Sequence, residues 1–132
     1  MRPVLVGICG GVAAGKSLFA KQLVCSLGSK YVAASEIEQF ETRHDKEPDS
    51  ACYIMRGLTL FSDQPRRFFD VKVFLDVDAD VRLCRMLKAA ESIEETRKLL
   101  RRYQGATRPY HTQSVLKQRA LADVHVNGPF CE

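Results

Sequence analysis

The chain begins with a run of apolar residues that is followed by glycines and then by an amphipathic segment. Residues 4 to 9 are almost continuously apolar and rich in β-branched side chains, a pattern typical of a strand covered on both faces. Beyond the glycines, apolar residues recur at helical spacing from Phe19 to Leu27, and Gly28 stands where a helix usually ends. The pattern therefore predicts a strand, a glycine loop and a helix over residues 4 to 28.

Shorter apolar segments alternate with helical patterns along the rest of the chain. Further strands are predicted over residues 31–34, 51–55, 71–75 and 123–126. Further helices are predicted over residues 35–40, as a short turn over 63–69, from a capping Asp78 to Lys88, and over 92–103. A last helix is predicted to begin at Pro109. Strands that alternate with helices are typical of βαβ units, so the predicted fold class is α/β with a mainly parallel sheet.

The composition is that of a single globular domain. The 132 residues, 45% of them apolar and 27% charged, predict one domain over residues 1–132 and exclude disordered and fibrous classes. The longest uncharged apolar stretch, residues 3 to 14, is shorter than the roughly 20 residues of a membrane span. We therefore expect no membrane partner and a cytoplasmic or other reducing intracellular location.

The charge balance favours a small anionic ligand. Twenty basic residues against sixteen acidic ones give a net charge of +4, which is too mild an excess for a dedicated nucleic-acid binder. A basic cluster at residues 97–102 is interpreted as a solvated helix face, with a contact to RNA or a protein partner as the alternative. Phosphate is the anion that this balance favours, and nucleic acid is not expected as a partner.

The cysteines and histidines do not form a metal-ligand pattern. The cysteines are odd in number, scattered and without a C-x-x-C pair, so they are expected to be buried, reduced thiols. The histidines lie far apart along the chain, so each is interpreted as a surface or otherwise satisfied residue, and no zinc site is expected. These residues are Cys9, Cys25, Cys52, Cys84 and Cys131, and His44, His111 and His125.

The glycine loop carries the most specific motif of the chain. Residues 10–17 satisfy G-x-x-x-x-G-K-[ST] between a predicted strand and a predicted helix, which is the context that a phosphate-binding loop requires. Such a loop turns backbone N–H groups and a helix N-terminus toward a polyphosphate. Lys16 is expected to reach the β- and γ-phosphates, and the Ser17 hydroxyl to coordinate Mg²⁺. The residues predicted to bind ATP or a related nucleotide are Gly10, Gly11, Val12, Ala13, Ala14, Gly15, Lys16, Ser17 and Leu18.

Three stretches together resemble the uridine-cytidine kinases of the phosphoribulokinase/uridine kinase family. The first is the loop with its strand, residues 7–17; the second, residues 73–85, is similar to the family's strand, acidic turn and arginine-bearing helix; the third, residues 108–124, is similar to its proline-led helix and closing strand. The resemblance implies a three-layer P-loop kinase fold with ATP and Mg²⁺ as cofactors. It implies a transferase that moves the γ-phosphoryl group of ATP to the 5′-hydroxyl of uridine or cytidine.

The resemblance also implies which residues would carry the reaction. Arg82 and Arg85 lie three residues apart, so they share one helix face, from which both are expected to reach the phosphate loop. The family's catalytic base aligns with Ile37, and a shift of one residue would let Glu36 or Glu38 accept the proton.

The chain departs from the family at three places. Family members are longer, and the missing portion falls between residues 40 and 51, where they enclose the nucleoside. Arg56 stands where the family has an acid near the metal, which would leave Asp63 or Asp70 to take that side. The arginine-rich lid is shortened at residues 89–92.

Two functional hypotheses therefore stay open. The chain is an active nucleoside kinase, or it is a degenerate kinase retained as a nucleotide-binding or structural subunit of a homo-oligomer or larger assembly. The intact loop and the paired arginines favour the first. Ile37, Arg56 and the missing pocket favour the second.

Overall fold

The described part of the chain forms a sheet of five strands, all of them parallel. The computed structural model describes residues 4–27, 30–31, 52–63 and 68–128. Its strands are β1 (Val4–Gly10), β2 (Lys30–Tyr31), β3 (Cys52–Gly57), β4 (Val71–Asp76) and β5 (Val124–Asn127). They lie in the order β2-β3-β1-β4-β5, with β1 at the centre. The predicted α/β fold class with a mainly parallel sheet is confirmed.

In the described ranges, six α-helical segments accompany the sheet. They are α1 (Lys16–Leu27), α2 (Leu60–Asp63), α3 (Ala79–Lys88), α4 (Ile93–Arg102), α5 (Arg108–Tyr110) and α6 (Leu116–Leu121). Segment α2, whose Leu60 and Phe61 are buried, ends at Asp63, where the predicted short helical turn over 63–69 begins. Residues 64–67 of that prediction lie outside the described residues, and residues 68 and 69 are not helical. Asp78 precedes α3 as predicted, but its side chain makes no capping hydrogen bond. The helix predicted over 35–40, and Gly28, lie outside the described residues.

The prediction that a separate helix begins at Pro109 is wrong. Segments α4, α5 and α6 are joined by π-helical turns over Tyr103–Thr107 and His111–Val115, and the backbone stays helical throughout. In the first of these turns the Arg108 N–H bonds to the Tyr103 carbonyl, five residues back. Wider turns of this kind accommodate a proline that has no N–H and whose ring crowds the preceding turn. Residues 93–121 therefore form one continuous helix, called the long helix below.

The sheet is buried on both faces, which gives the fold three layers. Alternate side chains of β1 point to opposite sides, since Leu5 and Cys9 belong to one core cluster and Val6 and Ile8 to the other. The first cluster contains residues of α2 and Val115 of the long helix. The second contains Ala20 of α1. This packing fixes the loop that follows β1 at the carboxyl edge of the sheet.

None of the helices within the described ranges combines the length and the apolar composition needed to cross a membrane.

Candidate phosphate-binding site

The predicted phosphate loop connects the carboxyl end of β1 to the first residue of α1. The loop turns back on itself, and the Ala14 N–H bonds to the Gly11 carbonyl at 3.1 Å. Two residues take left-handed backbone conformations, Ala13 with φ of 63° and Gly15 with φ of 96°. Glycine adopts such a conformation without strain, whereas alanine does so at a cost. These two positions let the loop wrap back on itself.

Lys16 is folded inward over the loop. Its Nζ donates hydrogen bonds to the carbonyl oxygens of Gly10 at 3.0 Å and Gly11 at 2.7 Å. Burial lowers the pKa of Lys16 to about 8; Cys9 opposes this effect, and the nearby cations of Arg56 and Arg82 add to it. The ammonium group thus occupies the mouth of the loop, where its positive charge is poorly compensated and an incoming anion would be favoured.

A cleft of about 400 Å³ opens beside the loop. Its walls are residues 13 to 18 together with Arg56 and Arg85, and we call it the loop cleft. The Arg85 guanidinium reaches it from α3 and donates a hydrogen bond to the Ala13 carbonyl at 3.0 Å. Ser17 is exposed at the first turn of α1 and also lines the cleft. The described lining carries three cationic side chains and no carboxylate.

Arg56 lies on the same cleft as the loop. It stands near the carboxyl end of β3, paired in the sheet with Ile8 of β1. Its charge is close enough to lower the pKa of Lys16. The resemblance implies an acid at this position, and in this chain the position instead adds a cation to the site.

Arg82 reaches the loop at a different point from Arg85. Its side chain is only 3% exposed, and its Nε donates to the Val77 carbonyl at 3.0 Å. One terminal nitrogen, NH1, lies 2.6 Å from the position that a Cβ on Gly11 would occupy. Both arginines thus contact the loop from one helix, but Arg82 is not among the residues that line the loop cleft.

His111 was not singled out from the sequence as a site residue, and its interpretation as a surface or satisfied histidine is wrong. The ring packs against Gly11, and its Nδ1 is buried without a hydrogen-bond partner in the described part of the chain. Burial lowers the pKa of His111 to about 4; Arg82 and Lys16 also lower it, while Asp76 raises it. The available signal was helical spacing, since His111, Val115 and Gln118 lie at i, i+4 and i+7, and the last two are fully buried.

Of the carboxylates suggested by the sequence, the two that can be assessed, Asp63 and Asp70, do not line the loop cleft. Glu36 and Glu38 lie outside the described residues. Asp70 accepts a hydrogen bond from the Leu5 N–H at 2.8 Å, near the opposite end of β1 from the loop, and Asp63 accepts one from the Thr59 hydroxyl at 2.7 Å. In the described ranges, no three His, Cys, Asp or Glu side chains are grouped as metal ligands.

The expectation that the cysteines are buried holds for one of the three that can be assessed. Cys9 is buried beneath the loop, and this burial raises its thiol pKa to about 11. Cys25 and Cys84 are exposed, because they lie on the outward faces of α1 and α3. All three are free thiols.

Comparison with curated proteins connects the chain to nucleoside kinases. It is 23% identical to uridine-cytidine kinase A of Dictyostelium discoideum over 94% of the chain, and it spans only 36% of that protein. It is 22% identical to a uridine kinase of Halalkalibacterium halodurans and 24% identical to one of Clostridium botulinum, in each case over 93% of the chain. It covers 85% and 87% of those two proteins.

These alignments also show that the chain is shortened internally. They extend over 178, 180 and 179 positions, more than the 132 residues of the chain, so gaps open in this chain where the relatives carry extra residues. No protein-family model matches the chain.

Solved structures support the fold. A protein of Eubacterium ventriosum aligns over 94% of the chain with a TM-score of 0.55 at 15% identity, covering 87% of that protein. The protein TT1252 of Thermus thermophilus aligns over 98% of the chain with the same TM-score at 10% identity, covering 91% of that protein. The phosphate-loop motif, the parallel sheet and the curated relatives agree: the chain is a shortened, divergent homologue of proteins named uridine kinase and uridine-cytidine kinase.

Proposed function

We propose that the chain binds ATP with Mg²⁺ at the loop cleft and transfers the γ-phosphoryl group to the 5′-hydroxyl of a pyrimidine nucleoside, uridine or cytidine. The observation that carries this proposal is the charge of the cleft. Lys16, Arg56 and Arg85 line it beside a wrapped glycine loop, and no carboxylate lies in the described lining. Such a site favours a polyphosphate over a neutral or cationic ligand.

The residues of the cleft fit a polyphosphate in definite roles. Lys16 already bonds two loop carbonyls, and phosphate oxygens would replace them as stronger, charged acceptors. Arg85 is held over Ala13 and would contact the phosphates from the α3 side. The exposed Ser17 hydroxyl would hold Mg²⁺, which neutralises the charge that develops during phosphoryl transfer.

The acceptor side of the reaction rests on the relatives and on two glutamates. We propose Glu36 or Glu38 as the general base that takes the hydroxyl proton. Labelled ATP with a panel of nucleosides tests the transfer directly, and we expect phosphate to appear on uridine or cytidine. The double variant Glu36→Gln and Glu38→Gln should abolish transfer and preserve ATP binding. Full activity in that variant would show that another group is the base.

A second function is favoured by one observation, the position of Arg56. A guanidinium on the loop cleft attracts phosphate and repels Mg²⁺, which is the reverse of what an acid does there. With the internal shortening of the chain, this supports a protein that binds a nucleotide without transferring phosphate. Such a subunit would serve in a homo-oligomer or a larger assembly in the reducing interior of the cell.

Substitution of Arg56 separates the two functions. In the non-transferring protein, Arg56→Glu should lower the Mg²⁺ concentration needed for half-maximal ATP binding several-fold, because a carboxylate replaces a cation beside the metal. Isothermal titration at several Mg²⁺ concentrations measures this change. The exposed Lys21→Glu variant is the matched control for a two-unit change in net charge, and it should behave as the wild type. Identical Mg²⁺ curves for Arg56→Glu, together with nucleoside phosphorylation by the wild type, would reject the non-transferring function.

A further inference from the structure

A second cavity lies near the phosphate loop and shares no lining residue with the loop cleft. It encloses about 260 Å³ between the turn that joins β4 to α3 and one side of the long helix. Arg82 and His111 line it, and both also pack against Gly11. None of the residues that line the loop cleft lines this cavity, so the two are separate compartments that meet at the phosphate loop. We call it the helix cavity.

The helix cavity contains polar groups whose bonding capacity is unused. Arg82 is 97% buried, and its NH1 has no hydrogen-bond partner in the described part of the chain; the same holds for Nδ1 of His111. A buried polar atom without a hydrogen-bond partner costs free energy that a correctly placed partner recovers. Two such atoms against one glycine, on side chains that line one cavity, indicate a place where an oxygen atom of a ligand would be bound.

The charges of the helix cavity are of both signs. Arg108 lines it with an exposed side chain, and Asp78 lines it with a carboxylate that makes no capping bond. Asp76 also lines it but is already paired, because its carboxylate lies 3.2 Å from a guanidinium nitrogen of Arg119. Two guanidinium groups can therefore bind an anion, while Asp78 and the neutral His111 can accept hydrogen bonds from hydroxyl groups.

We propose that the helix cavity is a second binding site, for a small ligand that carries one anionic group and several hydroxyl groups. Arg82 and Arg108 would bind the anion, and His111 and Asp78 would bind the hydroxyls. The volume of about 260 Å³ lies just below the roughly 300 to 1,000 Å³ of sites for drug-sized ligands, so the cavity suits a small ligand. This site is additional to the proposed nucleotide site, because it holds none of the residues that would bind ATP in the loop cleft.

Titration of the full chain with three-carbon probes tests the site. Glycerol 3-phosphate and glycerate carry the two anion types, glycerol lacks the anion, and inorganic phosphate lacks the hydroxyls. We expect one of the two anionic polyols to bind at least tenfold more tightly than glycerol or phosphate by calorimetry. The tighter of the pair identifies a phosphate or a carboxylate as the anion.

Variants decide where the probe binds. Arg108→Gln should weaken binding about tenfold, because it removes one charged donor from an exposed position that does not support the fold. Lys98→Gln removes an exposed charge from the same helix away from the cavity and should change binding less than twofold. Lys16→Ala removes the cation of the loop, and its affinity for the probe should stay within twofold of the wild-type affinity.

Three results would overturn the proposal. They are equal binding of glycerol and the anionic polyols, loss of binding in Lys16→Ala with retention in Arg108→Gln, and equal loss in Arg108→Gln and Lys98→Gln. The Lys16→Ala measurement also keeps this proposal distinct from the nucleotide site. Loss of ATP binding with retained probe binding in Lys16→Ala would support both sites. If the wild type does not bind ATP, the proposed nucleotide site is rejected, and the probe measurements still decide whether the helix cavity is a binding site.

Discussion

At the scale of single residues, the ammonium group of Lys16 is bound by the phosphate loop itself. Lys16 bonds the carbonyl oxygens of Gly10 and Gly11, which are neutral acceptors, and it is partly removed from water. Neutral acceptors compensate an ammonium less well than carboxylates do, which is why burial dominates and the pKa falls to about 8. A bound polyphosphate would reverse this balance and restore the proton affinity of the amine.

Nucleotide affinity should therefore decrease as the pH rises through 8. Between pH 7 and 9 the charged fraction of Lys16 falls roughly tenfold, so we expect the ATP dissociation constant to rise on the order of tenfold. Calorimetry at pH 8 in buffers of different ionisation enthalpy should also detect proton uptake on binding. A Lys16→Met variant should bind weakly with no such pH dependence. An equally steep pH dependence in that variant would assign the effect to another group.

Ala13 holds a backbone conformation that suits glycine better. Its φ of 63° costs roughly 1 to 2 kcal/mol for a residue with a Cβ, whereas glycine pays about 0.5 to 1 kcal/mol in chain entropy. We expect Ala13→Gly to be neutral or to raise the free energy of unfolding by up to about 1 kcal/mol, measured in urea. The neighbouring Ala14 is fully buried, so Ala14→Gly should lower it by about 1 to 2 kcal/mol. Equal destabilisation by both substitutions would contradict this account.

At the scale of the elements, one buried glutamine attaches the long helix to α2. Gln118 is 1% exposed, and its Oε1 accepts hydrogen bonds from the N–H groups of Phe61 at 2.9 Å and Ser62 at 3.0 Å. Its Nε2 donates to the Ser62 hydroxyl at 2.8 Å and to the Ser114 carbonyl at 3.2 Å. The early N–H groups of a short helix have no partner within that helix, so this side chain serves as their acceptor.

Loss of that amide should be costly. Gln118→Leu keeps a similar volume but leaves two buried N–H groups without an acceptor, and we expect it to lower the free energy of unfolding by about 2 to 4 kcal/mol. Urea denaturation measures the change. Gln113→Leu alters an exposed glutamine of the same helix and should stay within about 0.5 kcal/mol of the wild type. A similar small effect at Gln118 would show that the amide does not stabilise the contact.

The elements that could be predicted are those with local signals. The apolar run of β1, the glycine motif and the helix after it are contiguous in the sequence, and the structure has them in that order. The continuity of the long helix was missed because Pro109 is a strong local signal for a helix start, whereas π-helical turns give no sequence signal of comparable strength. Helical spacing predicted that Arg82 and Arg85 share a face, but not that one guanidinium is buried and the other lines a cleft.

At the scale of the whole molecule, the stability should depend on His111 in mild acid. The long helix presses this ring against Gly11, next to Arg82 and Lys16, and its pKa falls from 6.5 to about 4. The unfolded chain therefore binds the proton more readily between pH 6.5 and 4, so the free energy of unfolding should decrease as the pH falls through this range.

The contribution of the half-buried His111 ring is on the order of 1 to 3 kcal/mol. His111→Gln removes the titrating group, so urea denaturation at pH 7 and pH 4.5 should show a smaller loss of stability in the variant than in the wild type. The same loss in both proteins would mean that carboxylates alone govern the acid response.

The central position of β1 has a consequence for how the chain folds. Its two neighbours in the sheet are distant along the chain: Val4 pairs with Cys52, and Val6 pairs with Val71. The second neighbour of β4 is also distant along the chain, since Val73 of β4 pairs with Val124 of β5. These long loops must close before any strand pairing forms, and loop closure costs conformational entropy. The folding nucleus is therefore slow to form. Among the described strands, β1 precedes its first partner β3 by more than 40 residues, so truncated chains that end before β3 should aggregate rather than form part of the sheet.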